Sequence, residues 1–200
     1  MRTQFKIILL TPESSSKSEI KNICKLFSIG LSTLHLRKPG FSEIQLRHYL
    51  LQIPKKYHNR IVLHTHYALV KEFNLKGAHL TEKERASKKT IAFLQRTKIR
   101  IVSTSFHSTV HINRNRRKYE YVFLSPIFDS ISKKGHKSRF ILERIQSILK
   151  RNKIIALGGI NDKNILSTKE IGFAGAATIG YIWEGKNPVQ QYKKLISKIK

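Results

Sequence analysis

The apolar stretch Tyr121 to Leu124 runs into a turn reading Ser125-Pro126-Ile127-Phe128-Asp129-Ser130-Ile131-Ser132-Lys133-Lys134-Gly135. Ser130 and Ser132 bring short hydroxyl donors, Lys133 and Lys134 bring ammonium charges, and Gly135 lets backbone come close to a ligand. Such a set suits a doubly charged oxyanion. It is a phosphate loop in chemistry but not a Walker loop, because the GxxxxGK[ST] spacing is absent. A Ser/Lys turn by itself is equally a solvated loop. Its place in the chain decides between the two.

Short apolar runs alternate with longer amphipathic ones from end to end. The pattern predicts strands at 5–10, 33–37, 60–64, 77–80, 100–105, 121–124, 154–158 and 175–179. Between them it predicts helices at 17–29, 41–53, 67–74, 83–96, 109–117, 139–151, 162–171 and 188–199. In the first helix Ile20, Ile23, Cys24 and Phe27 fall on one face. Ser16-Lys17-Ser18-Glu19 reads as a capping box before it, and Gly30 as its C-cap; Gly172 repeats that ending. Eight strand–helix pairs predict an α/β fold, a (β/α)8 TIM barrel in a single compact domain over residues 1–200. An open doubly wound sheet is the rival, but no GxGxxG follows the first strand.

A barrel gathers every strand's C-terminal end on one rim. That rim would carry Thr11, His35, Arg37, His64, Thr65 and His79, then Glu82, Glu84, Ser105, His107, Ser130, Ser132 and Lys133. His35 and Arg37 share a strand face by the period of two, so both reach one ligand. Ala156-Leu157-Gly158-Gly159-Ile160 and Thr178-Ile179-Gly180 end the last two strands in small residues. Free backbone N–H groups there, beside a helix start, form the phosphate site usual in such barrels, although a plain turn accounts for Gly158-Gly159 equally well. Four strand-end histidines, His35, His64, His79 and His107, read as polar lining rather than a zinc site, which needs three or four nitrogens about 2.1 Å from one point. One of them as a proton shuttle is the more credible role. His136 and the other histidines read as surface residues.

The charge of +27 invites a nucleic-acid reading. However, the chain holds 26 Lys and 26 Ile against 8 Ala, the bias of an AT-rich genome, and its basic residues are spread throughout. Only Asn113-Arg114-Asn115-Arg116-Arg117-Lys118 is dense, and no nucleic-acid motif accompanies it. No specific nucleic-acid partner is therefore expected. No apolar run approaches the roughly 18 residues a membrane span needs, and the short apolar start reads as a first strand, not a signal peptide. The single cysteine, Cys24, excludes an internal disulfide and fits a reducing, cytoplasmic setting.

The ordered set His35-Leu36-Arg37, His64-Thr65, Gly77-Ala78-His79-Leu80, Ser105-Phe106-His107-Ser108, Ser125-Pro126-Ile127-Phe128, Ser130-Ile131-Ser132-Lys133, Ala156-Leu157-Gly158-Gly159-Ile160 and Gly172-Phe173-Ala174-Gly175 resembles the thiamine-phosphate synthase and thiazole tautomerase family. The resemblance covers nearly the whole chain. It implies a transferase of thiamine biosynthesis that joins hydroxymethylpyrimidine diphosphate to a thiazole phosphate, releasing diphosphate, with Mg²⁺ as the usual metal. By that resemblance Arg37, Ser105 and Lys133 hold the pyrimidine diphosphate, and Ser130 and Ser132 contact the thiazole phosphate. Gly159, Ile179 and Gly180 give backbone N–H contacts, and His35 and His64 line the substrate site. The chain departs from the family's pattern in several places. His35 stands for a glutamine and Lys38 is one place from the family's lysine. His64-Thr65 replaces Asn-Asp, removing one metal carboxylate, and Glu84, with Glu82 nearby, replaces the second. Pro126 stands where the tautomerases carry a catalytic histidine. Three functions stay open: synthase, tautomerase, or a non-catalytic barrel that binds phosphorylated ligands. A homo-oligomer is compatible with any of them.

Overall fold

The computed structural model describes residues 4–99, 101–129 and 145–200. Eight parallel strands close in sequence order into a barrel. They are β1 (Lys6–Leu10), β2 (Leu34–Leu36), β3 (Ile61–Leu63), β4 (Gly77–Leu80), β5 (Ile101–Phe106), β6 (Tyr121–Leu124), β7 (Ile154–Leu157) and β8 (Gly175–Thr178). Closure pairs Lys6 with Gly175 and Leu9 with Thr178. Each strand lies within about a residue or two of its expected place, because short apolar runs bounded by polar turns leave little freedom.

The helices are α1 (Glu19–Ser28), α2 (Glu43–Leu51), α3 (Ala68–Glu72), α4 (Glu82–Ala86), α5 (Lys88–Thr97), α6 (Thr109–Arg114), α7 (Gln146–Arg151), α8 (Ile165–Ile171), α9 (Gly180–Trp183) and α10 (Pro188–Ser197). The single helix expected over 83–96 is two. Ser87 breaks it with extended backbone and caps α5 by accepting from the Thr90 N–H, the local competition that makes serine a helix starter. The box expected at Ser16–Glu19 does not form, since Ser18 caps nothing with its side chain and Glu19 is drawn into the interior. The capping box is instead at Ser42 and Gln45, opening α2. Gly30 and Gly172 do end their helices, with φ of +103° and +108° that glycine alone adopts without strain. Trp183 Nε1 of the short α9 donates to Leu10 O at 2.7 Å, tying the end of the barrel to its first strand. Among the described residues no helix is long and apolar enough to cross a membrane.

The larger apolar core fills the layer between barrel and helices, where Ile23, Leu26 and Phe27 bury the expected face of α1. A second core, of Ile8, Leu10, Tyr121, Phe123, Ile155 and Ala177, lies inside the barrel. The rest of the buried interior includes His35, His64, His79 and Ser103. His58 corrects the surface expectation for the minor histidines. It is buried, with Nε2 2.9 Å from Ile53 O and Nδ1 3.3 Å from Phe73 O, joining the 3-10 turn Lys55–Arg60 to its neighbours.

Candidate active site

A cleft of about 590 Å³ opens at the C-terminal rim. Arg37, His64, His79, Ser105, His107 and Ile179 are on its wall, so strands β2, β3, β4, β5 and β8 all deliver groups that the sequence placed there. Arg37 leaves β2 half-exposed. Its backbone N–H donates to Thr11 Oγ1 at 2.9 Å, and that hydroxyl donates back to Arg37 O at 3.1 Å, so β1 fixes the arginine's base. The guanidinium meets Glu13, also on the wall, at 2.5 Å.

Lys38, one residue on, faces the other way. Its ammonium is sealed between Glu19 Oε2 at 2.9 Å, Pro12 O at 2.8 Å and Ser14 O at 2.9 Å, while Tyr49 donates to the other Glu19 oxygen at 2.6 Å. Strand alternation is the reason: a shift of one position sends the side chain out of the barrel. Burial lowers the Lys38 pKa and Glu19 pulls it back up, so the lysine serves the fold rather than a ligand.

A set of histidines held by hydrogen bonds forms and backs the cleft floor: His64 and His79 are on the cleft wall, while His35, expected to line the substrate site, is fully buried behind them and not on the wall. His35 Nε2 is 2.6 Å from the Tyr121 hydroxyl, and His35 Nδ1 is 3.0 Å from His64 Nε2. His79 Nδ1 and Nε2 each lie 2.9 Å from a hydroxyl, those of Ser103 and Ser105. Burial, then the neighbouring histidine, pushes the pKa of His35 and of His64 well below the ordinary imidazole range; burial, then Arg85 and Arg37, brings His79 down to about 3. All three rings are therefore neutral near pH 7. Sequence reasoning doubted that histidines from separate strands would converge, yet these three offer nitrogens within 4.8 Å of one another. Their geometry is still not that of a zinc centre. His64 and His79 stack with ring centroids 4.3 Å apart, and a bound metal wants each ring to point at it edge-on. Every nitrogen of His35 and His79 already has a hydrogen-bond partner. His107 stands apart from the cluster, Nδ1 donating to Ser125 O at 2.9 Å.

The positions the resemblance assigns to Mg²⁺ do not make a site for it. Thr65 offers a hydroxyl in place of a carboxylate, and the Glu84 carboxylate accepts from Thr90 Oγ1 at 2.5 Å within the α4–α5 turn. Glu84 is not on the cleft wall, whereas Glu82, Glu13 and Glu184 are. Sequence reasoning missed Glu13 and Glu184, since neither sits in a recognisable pattern. It also missed Arg85, which donates to Ser105 O at 2.8 Å and lies over the Phe106 ring, bracing the end of β5.

Ser130, Ser132 and Lys133 lie outside the described residues. The start of their loop is seen: Ile127 N–H donates to Leu157 O at 2.9 Å and Phe128 N–H to Gly158 O at 3.2 Å. The Ser125-Pro126 peptide is cis. Gly159, with φ of +65°, lets this loop pack close, for a Cβ there would come within 2.3 Å of Asp129 O. Its carbonyl accepts from the Asn161 and Asn164 amides. Ile179 and Gly180 begin α9 at the end of β8.

The thiamine monophosphate synthase family model matches residues 7–182. A thiamine-phosphate synthase of Prochlorococcus marinus is 27% identical over 90% of this chain, and one of Latilactobacillus sakei is 25% identical over 70% of it. The chain spans only 53% and 64% of the lengths of these two relatives. A crystal structure of thiamine phosphate pyrophosphorylase from Bacteroides thetaiotaomicron superposes with a TM-score of 0.81 at 34% identity, covering 97% of each chain. The protein of that name from Pyrococcus furiosus, 14% identical with a TM-score of 0.80, shares the fold over 99% of this chain and 96% of its own. With a closed eight-stranded barrel, a rim cleft holding Arg37 and Ser105, and a match over 7–182, this chain belongs to the thiamine monophosphate synthase family.

Proposed function

We propose that the rim cleft joins a hydroxymethylpyrimidine diphosphate to a thiazole phosphate. The carbon–oxygen bond to the diphosphate breaks, its electron pair leaves with the phosphate oxygen, and the thiazole nitrogen forms the new carbon–nitrogen bond. The observation that carries this reading is that Arg37, from β2, and Ser105, from β5, line one rim cleft together with the uncharged His64 and His79. Charge that develops on a leaving oxygen needs fixed donors aimed at it, and in a partly buried cleft such donors are worth several kcal/mol, on the order of 10²–10³ in rate each. Arg37 is the fixed cation, and Lys133, with Ser130 and Ser132, is assigned the phosphates by resemblance. The neutral floor suits a ring that carries no charge. Pro126 favours coupling over tautomerisation, since proline has no proton to transfer.

Purified protein given both phosphorylated heterocycles, with and without added Mg²⁺, is expected to form thiamine phosphate and release one diphosphate per turnover. Lys133→Ala is expected to lower kcat/KM by about 100-fold. Saturable binding of both compounds without product would establish the non-catalytic reading instead.

A further inference from the structure

The histidine floor has a property that no single residue in it has. A neutral imidazole carries one N–H, so one nitrogen donates and the other accepts. In the arm Tyr121–His35–His64, with links of 2.6 and 3.0 Å, the direction of one bond therefore sets the direction of the other. Both His35 nitrogens are used; among the described residues His64 Nδ1 has no hydrogen-bond partner, and His64 lines the cleft. The second arm, Ser103–His79–Ser105, has links of 2.9 Å and also ends on the cleft wall, at the Ser105 hydroxyl. The two arms adjoin at Ser103 and Tyr121, register partners on the neighbouring strands β5 and β6.

We propose that a hydrogen bond between the Ser103 and Tyr121 hydroxyls joins the two arms into one chain of six residues with two open ends, His64 Nδ1 and Ser105 Oγ, which show the ligand opposite characters. When Tyr121 donates to His35, His35 donates to His64 and His64 Nδ1–H points into the cleft as a donor. Tyr121 then accepts from Ser103, Ser103 from His79 and His79 from Ser105, whose oxygen is left to accept from the ligand. Reversing every bond makes His64 the acceptor and Ser105 the donor. Both settings have the same number of protons and no net charge, which a buried floor requires. The chain thus reads a ligand edge that offers one donor beside one acceptor. His64 and Ser105 contact the ligand, while Tyr121, His35, Ser103 and His79 are positioning residues. The proposal rests on the cleft being the substrate site described above, but its first readout is made without substrate.

Nitrogen-15 NMR of histidine-labelled protein is expected to show His35, His64 and His79 neutral, each as one tautomer, from pH 8 down to about 5. Averaged tautomers in the free protein would overturn the chain. Adding the pyrimidine diphosphate should either leave all three tautomers as they are or switch all three together; a change at His64 alone overturns the coupling. Tyr121→Phe and Ser103→Ala each cut the chain at its middle, and each should weaken pyrimidine binding about tenfold and let His64 and His79 change independently. Unchanged binding and unchanged tautomers in both variants would overturn it. Locked tautomers in a protein that does not bind the pyrimidine would uphold the chain and sink the substrate assignment.

Discussion

The two halves of the barrel interior are built from different chemistry. On β1, β6, β7 and β8 the inward groups include Ile8, Leu10, Phe123, Ile155 and Ala177, the aliphatic and aromatic filling usual in such barrels. On β2 to β5 they include His35, His64, His79, Ser103 and Ser105. The first half gains stability by removing apolar area from water, at roughly 25 cal/mol per Å². The second gains little that way and must satisfy each buried polar atom or lose stability, which its hydrogen-bonded arms do. The contribution of the apolar half does not depend on protonation. The other trades stability for a cleft floor with fixed donors and acceptors, and holds only while its imidazoles are neutral.

The largest expected contrast is in acid. The folded pKa values of the three histidines lie below the ordinary 6.5, so below pH 6.5 the unfolded chain binds more protons than the folded one. Stability is therefore fully present above about pH 6.5 and falls as pH drops toward the folded pKa, about 3 for His79. For His79 this corresponds to roughly 2 kcal/mol lost between pH 7.5 and 5, and His35 and His64 add to the loss in the same direction, readable by urea unfolding at a series of pH values. Should a His35→Gln/His79→Gln double variant lose stability in acid as steeply as the parent, the polar half is not the source. Next comes Ile8→Ala in the apolar half, off the cleft wall, expected to cost about 3 kcal/mol at pH 7.5 and the same at pH 5.5. Arg37→Ala is expected to lower kcat/KM for the proposed coupling about 100-fold, near 2.7 kcal/mol, yet to move the unfolding midpoint hardly at all, because its pair with Glu13 is exposed. Smallest is Ile155→Val, at about 1 kcal/mol with no change in turnover; a large loss of activity there would show that the apolar half shapes the cleft beyond Leu10 and Phe123, which already line it.

Much of the frame was legible in the residues. The strand Tyr121–Leu124 falls where its apolar run puts it, because a run of four apolar residues between turns has one way to be buried. The same reasoning put Arg37, His64, Ser105 and Ile179 on one rim. It lost its grip where residues close in sequence are claimed by partners far away. Glu19 looked like a capping residue and is instead held by Lys38 and Tyr49, 19 and 30 positions on. His58 looked like a surface residue and is held by the carbonyls of Ile53, just before its turn, and of Phe73. Glu84 looked free for a metal and is held by Thr90.

The alternation of strand and helix, the closed barrel it implies and the family to which the chain belongs were determined by the sequence alone, since period and spacing are local properties of the chain. Which histidine nitrogens meet, and that three imidazoles from neighbouring strands become one neutral hydrogen-bonded floor, only the tertiary structure decided. Hydrogen bonds of 2.6–3.0 Å depend on side-chain directions across strands up to 86 residues apart, and no pattern of residue types along the chain encodes those.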